Sequence, residues 1–322
     1  MVKTGNRWIP AALVLALLVL AGAQAVEPAS YRLFPSLYLK KNMLNLDQTM
    51  SLANYHAAGG HLWNRIPLVA NRTIVAYYGK PGSAQMGILG RYSKEEIADM
   101  VTEMARNYDA VNGRDGVIGA YYIIYGTCWP GGEIGYLDDS ILLEYIRYAM
   151  QRGMLVFVDH QIGKYSVKEA MDRILPFLHY PNVHLAIDPE WRTLRPMKEI
   201  GSVTADEVNF AQEYMEAYIK EHDIPGIRML VVHQFADKMI QDRSRVRTDR
   251  DQVLLIHTAD GFGSPSMKLA TYARNAAAEN MPVKGFKLFF KSEFPFAGYD
   301  QPLMTPAEVM QLNPRPSLVM YQ

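Results

Sequence analysis

From residue 72 to the end of the chain, hydrophobic and polar positions follow two alternating patterns. Short runs rich in β-branched and aromatic residues are typical of buried strands, and stretches with helical spacing separate them. The strand-like runs cover residues 73–79, 117–125, 154–161, 183–191, 228–235, 253–261, 283–290 and 318–322. Eight strands alternating with helices predict an α/β protein with a (β/α)8 TIM-type barrel. The alternative is an open doubly wound sheet, but no G-x-G-x-x-G motif opens a helix here.

Helix starts within this pattern are marked by capping residues. Ser93 is followed three residues later by Glu96, and Thr204 by Glu207, which is the capping-box signature. The pattern ends on the eighth strand, so we expect the residues before the barrel to cover the place of the last helix. The prediction is therefore an N-terminal extension, residues 26–71, packed on a barrel of residues 72–322.

The first 25 residues have the pattern of a secretory signal peptide. Lys3 and Arg7 precede an apolar run over 9–23, and Ala23-Gln24-Ala25 has the small-x-small form of a cleavage site. The alternative is an uncleaved membrane anchor, which needs about 20 apolar residues. We expect cleavage after residue 25, a secreted protein (extracellular or in the cell envelope), and no stable membrane insertion afterwards.

Composition narrows the class of protein further. The whole chain has 33 basic and 33 acidic residues, and two of the basic ones lie in the predicted signal. The mature chain is thus slightly acidic with no basic stripe, so a nucleic-acid partner is not expected. Because Cys128 is the only cysteine, no intrachain disulfide can form and the core must hold the fold. The sequence makes no prediction of oligomeric state.

Two carboxylates end the fourth strand-like run. Asp188 and Glu190 stand two residues apart, so in an extended strand they point the same way. The bulky residues 183, 185 and 187 suit contact with helices, which turns Asp188 and Glu190 towards the barrel interior. Two acids on one buried face are costly unless they are paired, hydrated or used in chemistry. In TIM-type barrels, the carboxyl ends of the strands form the active site.

Polar or aromatic residues occur at the ends of the other strands too. The candidate catalytic residues are the carboxylates Glu190, Asp188 and Asp159. The candidate substrate-binding residues are Tyr78, Tyr125, Trp129, Gln161, Trp191, His233, Gln234, His257, Asp260, Lys287 and Tyr321. No cofactor and no metal site are predicted.

Each candidate also has a structural interpretation. Asp188 could cap the turn that Asp-Pro favours, and Glu190 could lie on a surface loop. Asp159 could be the ion-pair partner of Lys287, whose role is then that of a charge partner and not a Schiff-base nucleophile. His233 and His257 could be histidines satisfied within the core.

Two resemblances arise at these residues. The pair Asp188-x-Glu190 resembles the acid pair of chitinase-type and lysozyme-type barrel glycosidases, which implies Glu190 as proton donor and Asp188 as its helper. The longer aspartate-rich motif of chitinases is absent, because residues 184–187 read H-L-A-I. More of the chain looks like an uncharacterised family of secreted bacterial barrel proteins, sometimes joined to cell-wall-binding repeats. The segments that carry this resemblance are 81–83, 86–90, 188–191, 233–235 and 260–263.

The leading functional hypothesis is a secreted glycoside hydrolase that acts on a bacterial cell-wall or environmental polysaccharide by carboxylate acid/base catalysis. Its partner would be the carbohydrate substrate. One alternative is a metal-dependent hydrolase, because the strand ends supply nitrogen and oxygen ligands, although no H-x-H or H-E-x-x-H motif occurs. The other alternative is a non-catalytic barrel that binds glycans or the cell wall.

Overall fold

The computed structural model describes residue 69 and residues 72–113, 115–295 and 297–322. The predicted signal peptide lies outside the described residues, and so does the predicted N-terminal extension apart from residue 69. Within the described part, no helix has a stretch long and apolar enough to cross a membrane.

The described residues form strands and helices in regular alternation. The strands are β1 (Arg72–Gly79), β2 (Gly116–Cys128), β3 (Ile134–Tyr136), β4 (Leu155–Gln161), β5 (Val183–Asp188), β6 (Val203–Thr204), β7 (Arg228–Gln234), β8 (Ile240–Gln241), β9 (Val253–Ala259), β10 (Lys284–Leu288) and β11 (Leu318–Tyr321). The helices are α1 (Lys94–Asp109), α2 (Asp139–Gln151), α3 (Val167–Ile174), α4 (Ala205–Glu221), α5 (Pro265–Ala276) and α6 (Pro306–Val309).

Eight of these strands close into a parallel barrel. In order around the barrel they are β1, β2, β4, β5, β7, β9, β10 and β11, and β11 pairs back onto β1. Ile74 of β1 is aligned with Ile118 on one side and with Leu318 on the other, which closes the ring. The predicted TIM-type barrel is confirmed, and the open doubly wound sheet is excluded. The short strand β3 pairs antiparallel with the end of β2.

The barrel wall separates two apolar layers. Ala186 packs in the interior with the other inward side chains, whereas Val183, Leu185 and Ile187 pack outwards against the helices. This is the facing expected for the fourth barrel strand. A Cβ added at Gly285 would lie 2.2 Å from Thr258 Oγ1, so the interior between β9 and β10 has room only for glycine there.

The ends of several elements follow directly from sequence. Ser93 and Thr204 form the expected capping boxes at the starts of α1 and α4. Other ends differ from the pattern. β2 runs on to Cys128 because β3 pairs with its last residues. The helical stretch after β4 becomes a tighter 3-10 turn at Leu175–His179, because Pro176 lacks the N–H that a continuing α-helix needs.

Candidate active site

Inward side chains at the carboxyl ends of the strands meet in one group, which we call the central cluster. Each barrel strand sends alternate residues inwards, and every barrel strand except β11 brings one or two polar groups to the same level of the barrel. The cluster is almost wholly buried, with Glu190 partly exposed in the turn after β5. Its members are Tyr78, Tyr122, Asp159, Asp188, Glu190, His233, Asp260 and Lys287.

Two short hydrogen-bonded chains form the floor of the cluster. Tyr78 donates from its hydroxyl to Asp159 Oδ2 at 2.9 Å. His233 joins two partners, with Nε2 2.6 Å from the Tyr122 hydroxyl and Nδ1 2.8 Å from Asp260 Oδ2. These contacts fix the orientation of both tyrosines and of the imidazole.

His233 is held as a cation within this floor. Burial alone would lower the pKa of His233, but the negative charges of Asp260 and Asp188 outweigh it and raise the pKa to about 9. Its side chain is fully buried and both ring nitrogens are engaged, so it cannot reach a substrate. His233 is therefore a histidine satisfied within the core, one of the two interpretations drawn from sequence, and it adds a positive charge beneath the site.

Asp188 and Glu190 lie on a tight turn at the end of β5. Pro189–Trp191 form a 3-10 turn, and Asp188 Oδ1 accepts the backbone N–H of Glu190 at 3.2 Å. The Glu190 carbonyl in turn accepts the N–H of Gly201 at 2.6 Å. Asp188 therefore caps the turn and also faces the interior, so the two interpretations of this residue are compatible.

The acids of the cluster differ in how readily they ionise. Burial, together with the charge of Asp159, raises the pKa of Asp188 to about 6. Burial and then the neighbouring charge of Asp188 raise the pKa of Glu190 to about 8. Burial also raises the pKa of Asp159. Near neutral pH the cluster thus holds an ionised Asp188 beside a protonated Glu190.

Asp260 behaves in the opposite way. Burial opposes its ionisation, but the positive charges of His233 and Lys287 lower its pKa below the usual value. Lys287 Nζ lies 3.5 Å from Asp260 Oδ2 and 3.6 Å from the centre of the Tyr78 ring. Asp260 is accordingly the permanent counter-ion of the cluster.

The ion-pair partner of Lys287 is Asp260 and not Asp159, which the sequence offered as one of two alternatives. Lys287 pairs with Asp260 because Gly285 and Thr258 are aligned across β10 and β9. Two residues further along each strand, the side chains of Lys287 and Asp260 meet at the same level. Asp159 instead accepts from Tyr78.

Some hydrogen-bonding capacity in the cluster is unused. Asp159 Oδ1 and Asp260 Oδ1 are buried without a hydrogen-bond partner. Lys287 Nζ donates no hydrogen bond within the described part of the chain and is held by its ion pair and by aromatic rings. An ammonium with free donors beside two unfilled carboxylate oxygens is suited to contact a polar ligand.

Four of the predicted binding residues do not belong to the cluster. Tyr125, Gln234, His257 and Tyr321 face the helices, so they are removed from the candidate site. The Tyr125 hydroxyl bonds to Asp139, and the Tyr321 hydroxyl to that of Tyr108. His257 Nε2 lies 2.8 Å from Gln234 Oε1, which makes His257 a satisfied core histidine. The physical reason is that successive side chains of a strand point to opposite faces, and each of these four positions points away from the barrel interior.

Gln161, Trp129 and Trp191 lie near the mouth. Gln161 is buried and its Oε1 accepts the backbone N–H of Cys128 at 2.7 Å, which ties the ends of β4 and β2 together. The side chain of Trp191 is partly exposed, and its carbonyl accepts the N–H of Gly163. Trp129 is 52 % exposed in the turn between β2 and β3.

Three features of the site were missed from sequence. Tyr122 is a full member of the cluster, and its parity with Ala120 and Ile124 could have shown that it points inwards. Phe289 lies beside Lys287, with its ring centre 5.3 Å from Nζ. A second buried ion pair, Lys268 and Asp300, lies just outside the cluster at 3.4 Å. No local pattern links these last two residues.

The carboxylates and histidines of the cluster are not arranged as a metal centre. Among the residues that the structure describes, no group of three or more His, Cys, Asp or Glu side chains is placed to hold a metal ion.

Comparison with known proteins shows similarity to solved structures in the barrel fold. No family model and no curated protein matches the sequence. An oxaloacetate acetylhydrolase in complex with oxalate is similar with a TM-score of 0.49 and 12% identity, over 80% of this chain and 78% of that one.

Glycoside hydrolases are also among the similar structures. A family 5 enzyme from Prevotella bryantii B14, a mutant bound to a xyloglucan tetradecasaccharide, has a TM-score of 0.43 and 8% identity over 77% and 87% of the two chains. The family 18 chitinase ChiB of Flavobacterium johnsoniae has a TM-score of 0.42 and 10% identity over 78% and 88%. At these sequence identities the comparisons concern the fold only and give no information on the reaction or the substrate of this protein.

Proposed function

We propose that this protein is a secreted glycoside hydrolase that cleaves a bacterial cell-wall or environmental polysaccharide. The observation that carries the proposal is the pair on the turn after β5, where Glu190 has a pKa of about 8 beside Asp188 with a pKa of about 6. Glycosidases use two carboxyl groups in different protonation states, one to donate a proton and one to bear negative charge.

Glu190 would act as the general acid. Glu190 is partly exposed in the turn at the mouth, where a glycosidic oxygen could approach it, and it carries its proton at neutral pH. A general acid works best when its pKa lies near the working pH. As the bond breaks, the proton passes from Glu190 to the leaving oxygen, and the electron pair of the bond stays on that oxygen. Water then forms the new bond to the sugar carbon and gives its proton to the Glu190 carboxylate, which restores the acid.

Asp188 would stabilise the positive charge that develops on the sugar ring. Its backbone-capped carboxylate is fixed on the same turn, and the wall behind it holds His233 and Asp260 as a preformed ion pair. Fixed charges of this kind need little reorganisation when charge develops, which is how buried sites stabilise a transition state.

The proposal is tested by a screen of polysaccharides with native protein and Glu190→Gln. The substitution keeps the shape and removes the proton donor, so hydrolysis should fall by about 10²–10⁴-fold. Glu199→Gln is a matched control, because Glu199 lies on the same loop but pairs with Arg195 at the surface. Full hydrolysis by Glu190→Gln, or glycan binding without turnover by native protein, would contradict the proposal.

A further inference from the structure

Two exposed aromatic side chains stand on opposite sides of the barrel mouth. Trp129 is 52 % exposed and Phe262 is 55 % exposed, and no other aromatic residue in the described part of the chain exceeds half exposure. Trp129 follows β2 and Phe262 follows β9. In the ring of eight strands, β2 is second and β9 sixth, so the two strands lie opposite each other. Glu190 follows the fourth strand, midway between them.

Trp129 is seated rigidly on its turn. A Cβ added at Gly135 would come 2.1 Å from Trp129 Nε1, so the indole edge packs against a backbone position that only glycine leaves open. The turn is closed by the Trp129 N–H to the Glu133 carbonyl at 2.8 Å. Gly131 N–H also donates to the Leu194 carbonyl at 2.8 Å, which fixes this turn to the loop that follows Glu190.

Phe262 is seated in the same way on the far side. A Cβ added at Gly298 would come within 2.3 Å of the tip of the Phe262 ring. The loop is held by Asp300 Oδ1, which accepts the Gly263 N–H at 3.0 Å. The ring also makes an edge contact with Phe289, whose own ring lies beside Lys287. An aromatic path therefore leads from the central cluster out to Phe262.

Aromatic side chains beside a group of polar residues are typical of ligand-binding sites, and rigid placement lowers the entropy lost on binding. Strands about 4.8 Å apart in an eight-stranded ring give a diameter on the order of 15 Å, wider than one sugar ring. A ligand that contacts both aromatic residues must be extended and must cross the barrel mouth above the central cluster.

We infer that Trp129 and Phe262 are the two ends of a polysaccharide-binding cleft, so that the ligand is the interior of a glycan chain and not its terminal sugar. The position of cleavage within that chain rests on the function proposed above. The binding itself does not, because it depends on the two aromatic side chains and not on proton transfer.

The test is a binding titration in the Glu190→Gln background, where hydrolysis cannot consume the ligand. The probes are fragments of peptidoglycan glycan, chitin and β-glucan, from disaccharides to chains long enough to span the mouth. For the glycan that binds, affinity should rise with length. Phe262→Ala and Trp129→Ala should each lower long-chain affinity by about 10-fold or more and leave disaccharide affinity unchanged.

Two variants serve as controls. Phe262→Tyr keeps the ring and should keep the affinity. Phe210→Ala removes another exposed phenylalanine, on α4 beside Tyr214, and should change nothing. The inference is overturned if affinity does not depend on length, if Phe262→Ala binds long chains normally, or if no probe binds. If native protein hydrolyses the glycan but affinity does not depend on glycan length, the cleft is rejected and the glycosidase proposal stands. If binding depends on the two aromatic rings but native protein does not hydrolyse the glycan, the glycosidase proposal is rejected and the cleft stands.

Discussion

The protein has two buried charged regions side by side, and they are built differently. In the outer one, Lys268 of α5 donates to the carbonyls of Gly261 and Lys287 and pairs with Asp300. Asp300 accepts the backbone N–H groups of Gly263 and Phe289 through its two oxygens. Every charge in this region therefore has close partners.

The central cluster lacks that balance. Its four carboxyl groups face two cations, His233 and Lys287, and one oxygen each of Asp159 and Asp260 has no hydrogen-bond partner. Asp159, Asp188 and Glu190 accordingly have raised pKa values. Incomplete pairing costs stability and leaves groups ready to exchange protons, which is typical of functional sites.

The comparison also shows that one region positions the other. Lys268 holds the carbonyl of Lys287, and it also holds the loop that begins at Asp260. The ion pair of Lys287 with Asp260 in the central cluster is thus framed by the fully paired region outside it. The outer ion pair thus stabilises the strand ends, and the incompletely paired groups of the central cluster lie next to it.

The largest effect on stability is expected from breaking the ion pair of Lys268 with Asp300. Lys268→Met removes one partner and leaves Asp300 buried without its counter-ion, which costs about 3–5 kcal/mol of unfolding free energy. Urea unfolding measures this. Adding Asp300→Asn to Lys268→Met should recover part of the loss because the unpaired charge is gone. Additive losses in the double variant would show that the two side chains do not act as a pair.

The next effect concerns the inner acids. Asp188→Asn removes the charge that helps to keep Glu190 protonated, so the pKa of Glu190 should fall. It also removes the stabilising carboxylate, and hydrolysis should drop by about 10²-fold or more. Rate measurements across pH on the glycan found in the screen test both effects. An unchanged alkaline limb of the pH profile would argue against coupling between the two acids.

A smaller effect, opposite in sign, is expected for stability at Glu190. Its folded pKa of about 8 lies above its ordinary value of 4.5, so the folded state binds the proton more tightly. The stability that this tighter proton binding gives to the folded state is fully present below pH 4.5 and is lost as the pH rises towards 8. Glu190→Gln should therefore be more stable than native protein at pH 8, by on the order of 1 kcal/mol or more, with the difference shrinking towards pH 4.5. Thermal unfolding at the two pH values provides the comparison, and a pH-independent difference would contradict it.

The smallest effect is expected at the surface. Arg106 and Glu103 form an exposed ion pair on α1. Because such pairs are screened by water, Glu103→Gln should leave unfolding within the error of the urea measurement. A loss comparable with that of Lys268→Met would remove the distinction between surface and buried pairs.

The fold was largely predictable because its signals are local. Alternation with a period of two correctly placed Asp188 on the inner face of its strand, and Ser93 and Thr204 correctly marked the starts of α1 and α4. The same pattern was wrong for Glu190, because the strand ends at Asp188 and Pro189 begins a 3-10 turn. The outward facing of Tyr125 follows the same alternation, because Tyr121 and Ile123 also pack outwards while Tyr122 and Ile124 pack inwards. Tyr125 was chosen for its place near the strand end, without regard to this parity.

The contacts between side chains of different elements also could not be predicted from the sequence. The partner of Lys287 depends on how β9 and β10 are aligned, which no residue pattern gives. The pair of Lys268 with Asp300 joins a helix to a loop 32 residues away. Such contacts arise only when the barrel closes.

The most direct test of the site is the pH dependence of kcat/KM for native protein on its glycan. With Glu190 as the proton donor, kcat/KM should fall on the alkaline side with an apparent pKa of about 8. Activity that declines instead around pH 4.5, or stays constant well above pH 8, would contradict the assignment of Glu190 as the general acid.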